Sequence, residues 1–581
     1  MNSSSTKGPS PVKALRDVRA YVVPRAKCPM DLLLDGNEGT APPALLFDAL
    51  RRAGVDVLQR YPDARPLEAH IARMLDVAPA CVLVTAGADD AIDRVCRAFL
   101  SRDRTLVMPS PTFAMIARYA ALAGATVTRV PWPDGPYPTA AVCDAIDDTT
   151  AVVTVVTPNN PTGAIAREDD IARVAQAAPH ALVLVDLAYG EFDDVDLTRA
   201  ALTHENVVVT RTFSKAWGLA GLRTGYVVGP ERVITVLRAA GAPYAVSGPS
   251  VAIARARLDE GDDDVKGFVA RVKSERVALE THLASLGARP VSSHANFVFA
   301  RTPRAAWIRD ALAGLGIAVR AFPGDPELDD AVRITCPGDA AALARLTAAL
   351  TSALRPEALL FDLDGVWADV SRSYRRAITE TARSFGVSLD ADAITTMKAR
   401  GGANNDWDVT HRLLLAHGVE ASLDDVTARF EALYQGTPER RGLHSEETPL
   451  TDVATIARLA ERLPIAVVTG RPRKDAHRFL EAHGFAPHVR TVVCMEDAPL
   501  KPDPAPVRQA LERLSVRHAW MLGDTPDDVR AARAAFVVPL GILSPSEASA
   551  PDGRARFEDV LIQAGAGRIL HTIAELEEML S

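Results

Sequence analysis

Arg211-Thr212-Phe213-Ser214-Lys215-Ala216-Trp217-Gly218-Leu219-Ala220-Gly221-Leu222-Arg223-Thr224-Gly225 follows directly on the apolar run NVVVT (206–210). A short β-branched run of this kind reads as a buried strand, which places the polar residues at its carboxyl end. Two earlier runs end the same way. AVVTVV (151–156) leads into Thr157-Pro158-Asn159-Asn160-Pro161-Thr162-Gly163, and ALVLV (181–185) leads into Asp186 and then Tyr189. Stretches with helical spacing, such as Ile171 to Ala178, lie between the runs. Strands alternating with helices predict an α/β fold, a mostly parallel sheet covered on both faces. Ligands of such a sheet bind beyond the carboxyl ends of its strands. An amide, an acid, a phenol, a lysine and an arginine thus converge on one edge.

That set suits pyridoxal 5'-phosphate. The cofactor needs a lysine amine for a Schiff base and a carboxylate against its ring nitrogen, which keeps the ring an electron sink. Its ring hydroxyl needs hydrogen bonds, and its phosphate needs a cationic, NH-rich site. Gly87-Ala88-Asp89-Asp90 precedes the helical stretch Ala91–Leu100. Free amides at such a helix start bind phosphate. Phe113 is placed to stack on the ring.

A second group of strand ends lies further along. ALLF (358–361) leads into Asp362-Leu363-Asp364-Gly365-Val366, IAVV (465–468) into Thr469-Gly470-Arg471, and AWML (519–522) into Gly523-Asp524-Thr525-Pro526-Asp527-Asp528. Leu500-Lys501-Pro502-Asp503-Pro504 lies between the last two. Residues i and i+2 of a strand point the same way. One carboxylate can attack phosphorus while the other protonates the leaving oxygen and later activates water. A lysine and a hydroxyl would steady the transferred group. A divalent ion lets carboxylates approach a phosphate dianion, and oxygen-only ligands favour Mg²⁺.

The boundary between the two groups falls near Leu354-Arg355-Pro356-Glu357, where an Ala/Leu-rich helix (about 339–354) meets a proline and a new strand. The 581 residues correspond to about three to five compact units. We expect a polar disordered tail over 1–13 and a first region over 14–354. Its large domain covers about 46–250, and its small domain about 14–45 and 251–354. The second region covers 357–581, with a helical cap at about 372–450. The cap segment Gly401-Gly402-Ala403-Asn404-Asn405-Asp406 reads either as facing substrate or as a polar turn between helices. The net charge of −9 argues against a general nucleic-acid binder, because phosphate contacts need a basic surface. No stretch reaches the roughly 18 consecutive apolar residues of a membrane span. The start, MNSSSTKGPSPVK, lacks the apolar core of a secretory signal. Six scattered cysteines with no CxxC pair suit a reducing cytoplasm and no zinc site. There is no P-loop for ATP.

The first region resembles the fold-type I pyridoxal-phosphate aminotransferases, most closely the histidinol-phosphate aminotransferases. The matching segments are RYPD (60–63), GADD (87–90), PTF (111–113), PNNPTG (158–163), DLAY (186–189), 211–225, ANF (295–297) and VRIT (332–335). The resemblance implies that Lys215 holds the cofactor and shuttles the Cα proton. It pairs Asp186 with the pyridine nitrogen and sets Asn160 and Tyr189 on the ring oxygen. It puts Ala88, Asp89, Thr212, Ser214 and Arg223 on the phosphate. It also implies a homodimer in which Tyr61 reaches the neighbour's cofactor phosphate. Arg333, with Arg320, would bind the substrate's carboxylate or phosphate. Gly39-Thr40, Trp217-Gly218 and Cys336-Pro337 depart from the family near where substrate sits, so the reaction class is better defined than the substrate.

The second region resembles the haloacid dehalogenase superfamily of phosphatases, whose Rossmann-like core carries a helical cap. DxDGV, T, KP and GDxxxD occur here in the family's order. The resemblance implies Asp362 as nucleophile and Asp364 as general acid/base, with Thr469 and Lys501 on the phosphoryl group. It puts Mg²⁺ on Asp362, Asp364 (through its backbone) and Asp524, with Asp528 supporting. Together the two resemblances imply a bifunctional enzyme of histidine biosynthesis. It would transaminate imidazole-acetol phosphate with glutamate and then dephosphorylate histidinol phosphate. Two alternatives stay open: an aminotransferase or decarboxylase plus phosphatase for another phosphorylated amino or keto compound, and one region kept as a binding or regulatory module.

Overall fold

Seven strands form the first sheet: β1 (Val82–Thr85), β2 (Thr105–Ser110), β3 (Thr126–Pro131), β4 (Thr150–Val156), β5 (Leu182–Asp186), β6 (Val207–Thr212) and β7 (Gly225–Val228). Their order is β1-β7-β6-β5-β4-β2-β3. All neighbours run parallel except β7, which is antiparallel to both β1 and β6. Every residue of β4, β5 and β6 is buried. That is why these segments are continuously apolar rather than alternating. The register sets Val156 opposite Asp186 and Asp186 opposite Thr210, so the chemistry-bearing residues leave the sheet side by side. Helix α1 (Gly87–Phe99) starts two residues after β1.

A four-stranded antiparallel sheet follows, from β8 (Arg289–Val291), β9 (Phe297–Arg301), β10 (Arg320–Ala321) and β11 (Ala331–Thr335), in the order β10-β11-β9-β8. Here Arg320 stands directly opposite Arg333.

The third sheet is wholly parallel. Its strands are β12 (Ala358–Phe361), β13 (Ile465–Val468), β14 (Thr491–Val493), β15 (Ala519–Gly523), β16 (Val538–Ile542) and β17 (Arg568–Leu570). The order β14-β13-β12-β15-β16-β17 puts β12 between β13 and β15. The ends that precede Asp362, Thr469 and Asp524 are therefore adjacent. Between β12 and β13 the chain forms helices α2 (Tyr374–Ser384), α3 (Ala391–Ala399), α4 (Asp406–Ala416) and α5 (Leu423–Gln435). They contain a small core of their own around Ala382, Val387, Leu414 and Val426. Helix α6 (Pro526–Ala534) follows β15.

The computed structural model describes residues 15, 20, 25–44, 46–389, 391–399, 401, 402, 404–545 and 551–580. The expected tail 1–13 and Ala403 of the cap segment lie outside these residues. Two compact units emerge. Leu34–Ala306 and Val319–Ala344 belong to one, and Arg25–Leu33, Trp307–Ala318 and Arg345–Ser581 to the other. The sequence reading cut the chain once, near Pro356, whereas the chain path crosses between units several times. The second unit explains why. Leu32–Leu33 pairs in parallel with Ile317–Ala318, and Trp307 packs edge-on against Trp520 with ring centroids 4.8 Å apart.

Candidate active sites

In the first unit, Asp186 is buried at the end of β5. Its Oδ1 accepts from the Ala188 amide (3.0 Å) and the Thr210 hydroxyl (3.2 Å). Burial pushes its carboxyl up to about 6, because a charge in this environment loses its water. Lys215 is half-buried, donates to the Gly36 carbonyl at 3.0 Å, and lies 5.6 Å from the centre of the Tyr189 ring. The Tyr189 hydroxyl accepts from Asn37 Nδ2 at 2.9 Å. Asn37 is itself held by Thr335, whose hydroxyl donates to Asn37 Oδ1 at 3.0 Å. Arg333 donates to Asn160 Oδ1 and to the Asp35 carbonyl, both at 2.6 Å. Arg320 lies beside it across the β10–β11 ladder, its guanidinium 5.2 Å from the Phe322 ring centre. Like charges directly opposite on a sheet repel, and an anion between them would offset that repulsion.

The start of α1 and the β6–β7 turn form a cradle. Arg223 takes a left-handed backbone (φ 49°) and donates to Asp89 Oδ2 at 3.0 Å. Thr212 and Ser214 share a hydroxyl–hydroxyl bond of 2.8 Å. A Cβ on Gly87 would lie 2.8 Å from Arg223 Nη2, and one on Gly225 would lie 2.6 Å from the Arg211 carbonyl and 3.0 Å from the Ala88 nitrogen. Only glycines let the helix start, the turn and the arginine close on one spot. Free amides, two hydroxyls and a guanidinium are the donor set a phosphate requires. Pyridoxal phosphate fits this site, with Lys215 and Asp186 at the ring end.

In the second unit, Lys501 is buried. It donates to Asp362 Oδ1 (2.6 Å) and the Val468 carbonyl (2.9 Å), and it pairs with Asp528. Burial raises Asp362 well above the ordinary carboxylate range; Lys501 opposes the rise, and Asp528 and Asp364 add to it. Burial works against the charge on Lys501, but Asp362 and Asp528 prevail and push it up. Asp364 Oδ1 accepts from Arg471 Nε at 2.6 Å, and Arg471 Nη1 donates to Glu447 Oε2 at 2.9 Å. The Thr469 hydroxyl accepts from the Arg471 amide at 3.2 Å. Asp528 Oδ2 receives the Thr525 amide (3.0 Å) and hydroxyl (2.6 Å), a reciprocal cap at the start of α6.

Carboxylate oxygens of Asp362, Asp524 and Asp528 all lie within 4.8 Å of one another. Gly365 has φ 73°, and a Cβ there would lie 1.9 Å from Asp524 Oδ2, so the glycine admits the Asp524 carboxylate. An all-oxygen set of this kind fits Mg²⁺. The Asp364 side chain is not part of the cluster and is turned to Arg471.

A family model described as "Aminotransferase class I and II" matches residues 38–350, more than half of the chain. The chain belongs to that family. A second model, "haloacid dehalogenase-like hydrolase", matches residues 356–535. The aminotransferase match has a histidinol-phosphate aminotransferase of Roseiflexus castenholzii among its relatives. That protein is 36% identical over 318 residues, 52% of this chain and 84% of the relative. An imidazoleglycerol-phosphate dehydratase of Phytophthora nicotianae is 45% identical over 225 residues, 37% of this chain. The chain spans half the length of that relative. The crystal structure of Sinorhizobium meliloti histidinol-phosphate aminotransferase with pyridoxal-5'-phosphate superposes with a TM-score of 0.52 at 26% identity. The match covers 56% of this chain and 91% of that one. Both resemblances and the expected fold class are met. Pyridoxal phosphate and Mg²⁺ are the cofactors these two families use.

The aminotransferase unit gathers Lys215, Asp186, Tyr189, Asn160 and Arg333 at one sheet edge, and Ala88, Asp89, Thr212, Ser214 and Arg223 at the cradle. Phe113 is half-buried at the start of the helix Ala114–Leu122, packed on the core beside β2. Tyr61 is 79% exposed and stacks on Tyr244, with centroids 4.5 Å apart. Three residues had no assigned role from the sequence. Asn37 positions Tyr189 from far away in the chain, and no local pattern marks it. Arg211 is buried against Glu191 and Asp196, each at 2.9 Å; a charge inside an apolar strand end was its signal. Arg471 stood two residues after Thr469, a charge directly following a buried strand.

Proposed function

We propose that the chain is a bifunctional enzyme of histidine biosynthesis. The aminotransferase unit converts imidazole-acetol phosphate and glutamate to histidinol phosphate, and the hydrolase-like unit releases phosphate from histidinol phosphate. The observation that carries this reading is the presence of both donor sets, each with its reacting residues together, on one chain. One product of the first reaction is a phosphate monoester of the kind the second consumes. The relatives, one a histidinol-phosphate aminotransferase and one an imidazoleglycerol-phosphate dehydratase, support the pathway.

Pyridoxal phosphate, when bound, supplies an electron sink for breaking the substrate Cα–H bond. Lys215 Nζ carries that proton, and Asp186 keeps the ring nitrogen protonated. Asn160 and Tyr189 hold the ring oxygen, while Arg223, Ser214 and Thr212 hold the cofactor phosphate. Arg333 and Arg320 bind the substrate's anionic end. In the second unit, Asp362 attacks phosphorus and forms an acyl phosphate while Asp364 gives its proton to the departing oxygen. Water, deprotonated by Asp364, then cleaves the acyl phosphate. Lys501 and Thr469 bind the phosphoryl oxygens, and Asp362, Asp524 and Asp528 with the Asp364 backbone hold Mg²⁺.

Exposed Val55, Leu58, Tyr61 and Tyr244 support a homodimer in which Tyr61 serves the neighbouring cofactor. Six free cysteines support a cytoplasmic setting. Among the described residues no helix is long and apolar enough to cross a membrane.

The purified protein with both cofactors is expected to form glutamate from histidinol phosphate and 2-oxoglutarate, and to release phosphate from histidinol phosphate. Lys215→Ala should abolish only the first activity and Asp362→Asn only the second. The gene is expected to restore growth without histidine to strains lacking either step. A wild-type protein inert in either assay would sink the bifunctional reading.

A further inference from the structure

The cap contributes a fixed carboxylate to the phosphatase pocket. The pocket is open to solvent, with Asp362, Asp364 and Asp524 at its floor and Arg375, Lys398 and Asp406 on the cap side. A smaller cavity adjoins it, lined by Asp406, Trp407, Tyr374 and Met495 together with Asp364. Asp406 lines both. It forms an ion pair with Lys398 at 3.0 Å, and both side chains are nearly covered, at 10% and 15% exposure.

The segment carrying Asp406 is fastened to the catalytic core. Asn404 Nδ2 donates to the Lys501 carbonyl and to Asp527 Oδ2, each at 2.9 Å, and the Gly402 amide donates to the same Asp527 oxygen at 2.7 Å. A Cβ on Gly470 would lie 2.6 Å from the Asn404 carbonyl, so the segment lies directly over the residue after Thr469. Asn405 caps α4 by accepting the Trp407 and Asp408 amides. Asp406, first in that helix, is thereby set beside the reacting groups, near enough that its charge, like that of Lys398, bears on Asp364.

Arg375 and Lys398 on this wall draw a phosphate dianion, and Asp406, set among them, adds an acceptor of opposite charge. The arrangement makes sense when the substrate itself brings a positive group to this wall. Lys398 occupies one oxygen of Asp406, and a carboxylate has about four acceptor positions, so the pair can take a further N–H donor. Asp364 and Asp406 line both cavities together, so on the phosphatase reading the carbons next to the departing oxygen come within reach of Asp406.

We propose that this pocket selects phosphate monoesters bearing an ammonium group close to the ester oxygen, with Asp406 as its counter-ion. The proposal rests on the phosphatase reading of the second unit, and it specifies the substrate class of that site.

The test compares O-phosphoethanolamine with ethyl phosphate, which differ only in the amine, using full-length protein with Mg²⁺. Phosphoglycolate serves as a carboxylate-bearing control and histidinol phosphate as the proposed substrate. Wild type is expected to favour the amine over ethyl phosphate by about tenfold or more in kcat/KM, the scale of one charged hydrogen bond. Asp406→Asn should collapse that ratio to within about threefold, and Asp406→Glu should keep most of it. No amine preference in wild type, a ratio unchanged in Asp406→Asn, or a preference for phosphoglycolate would each overturn the proposal. If the amine preference holds while histidinol phosphate is not turned over, the biosynthetic reading fails and this one stands. If no monoester is hydrolysed at all, both fail.

Discussion

Arg471 Nε donates to Asp364 Oδ1 at 2.6 Å, and the arginine is almost wholly buried. It also holds Glu447 and lies 4.9 Å from the centre of the Tyr374 ring. In the proposed reaction, the acid that serves the departing oxygen is thus steered from the strand beside it. Both of the arginine's bonds go to carboxylates that flank the proposed site, so we propose Arg471 as a positioning residue for Asp364.

Arg471→Lys keeps the charge but loses the fork that joins Asp364 to Glu447. We expect kcat for an alkyl phosphate to fall about 10- to 100-fold, up to the lower end of the roughly 100- to 10,000-fold that general acid catalysis contributes. With p-nitrophenyl phosphate, whose leaving group needs little protonation, the loss should be several times smaller. Equal losses for both esters would show that the arginine serves only structure. Arg471→Met leaves the buried Glu447 and the half-buried Asp364 without their cation and should destabilise the unit by about 3 kcal/mol, read from denaturant unfolding.

Asp186 titrates upward because it is buried, to about 6, against about 3.9 in an unfolded chain. Between those values the unfolded state has lost its proton and the folded state has kept it, so this group makes stability fall as pH rises. Its cost is absent below about pH 4 and complete above about pH 6. The cofactor-free Asp186→Asn variant should therefore have a higher melting midpoint than wild type at pH 7.5, and the gap should close by about pH 4. The same variant should lose at least about 100-fold in transamination rate, because the ring nitrogen has lost its carboxylate. A gap that is constant with pH would contradict the assignment.

Gly365→Ala places a methyl where Asp524 Oδ2 now lies. The Asp524 carboxylate must swing away, and the Mg²⁺ concentration giving half-maximal phosphate release should rise about tenfold. Chelation of Mg²⁺ should stop phosphate release in the wild type and leave transamination unchanged. Both are read by titrating Mg²⁺ against each activity in the same sample.

Much of the chemistry was legible because it needs particular residue types at strand ends. Lys215, Asp186 and Asn160 follow three neighbouring strands of one sheet, and Asp362, Thr469 and Asp524 follow three of another. Chain order matches spatial order over these strands of the first sheet, whereas in the other sheet the strand before Asp362 lies between those before Thr469 and Asp524. The supporting contacts were not legible for the opposite reason. Asn37 reaches Tyr189 across 152 residues and Thr335 across 298, and no periodicity links them. Asn404 and Asp406 read equally well as a turn, because what distinguishes them is the carbonyl and carboxylates they meet after folding. The excursion of Trp307–Ala318 into the second unit is likewise a packing outcome, decided by Trp520 and by a two-residue strand pair.

The Asn404 side chain holds the backbone carbonyl of Lys501, and Lys501 holds Asp362. Lifting the cap segment must break that bond and loosen the loop on which the phosphate-binding lysine is mounted. One amide side chain thus couples the cap to the lysine that holds Asp362, so a displacement of the cap segment is felt at that lysine.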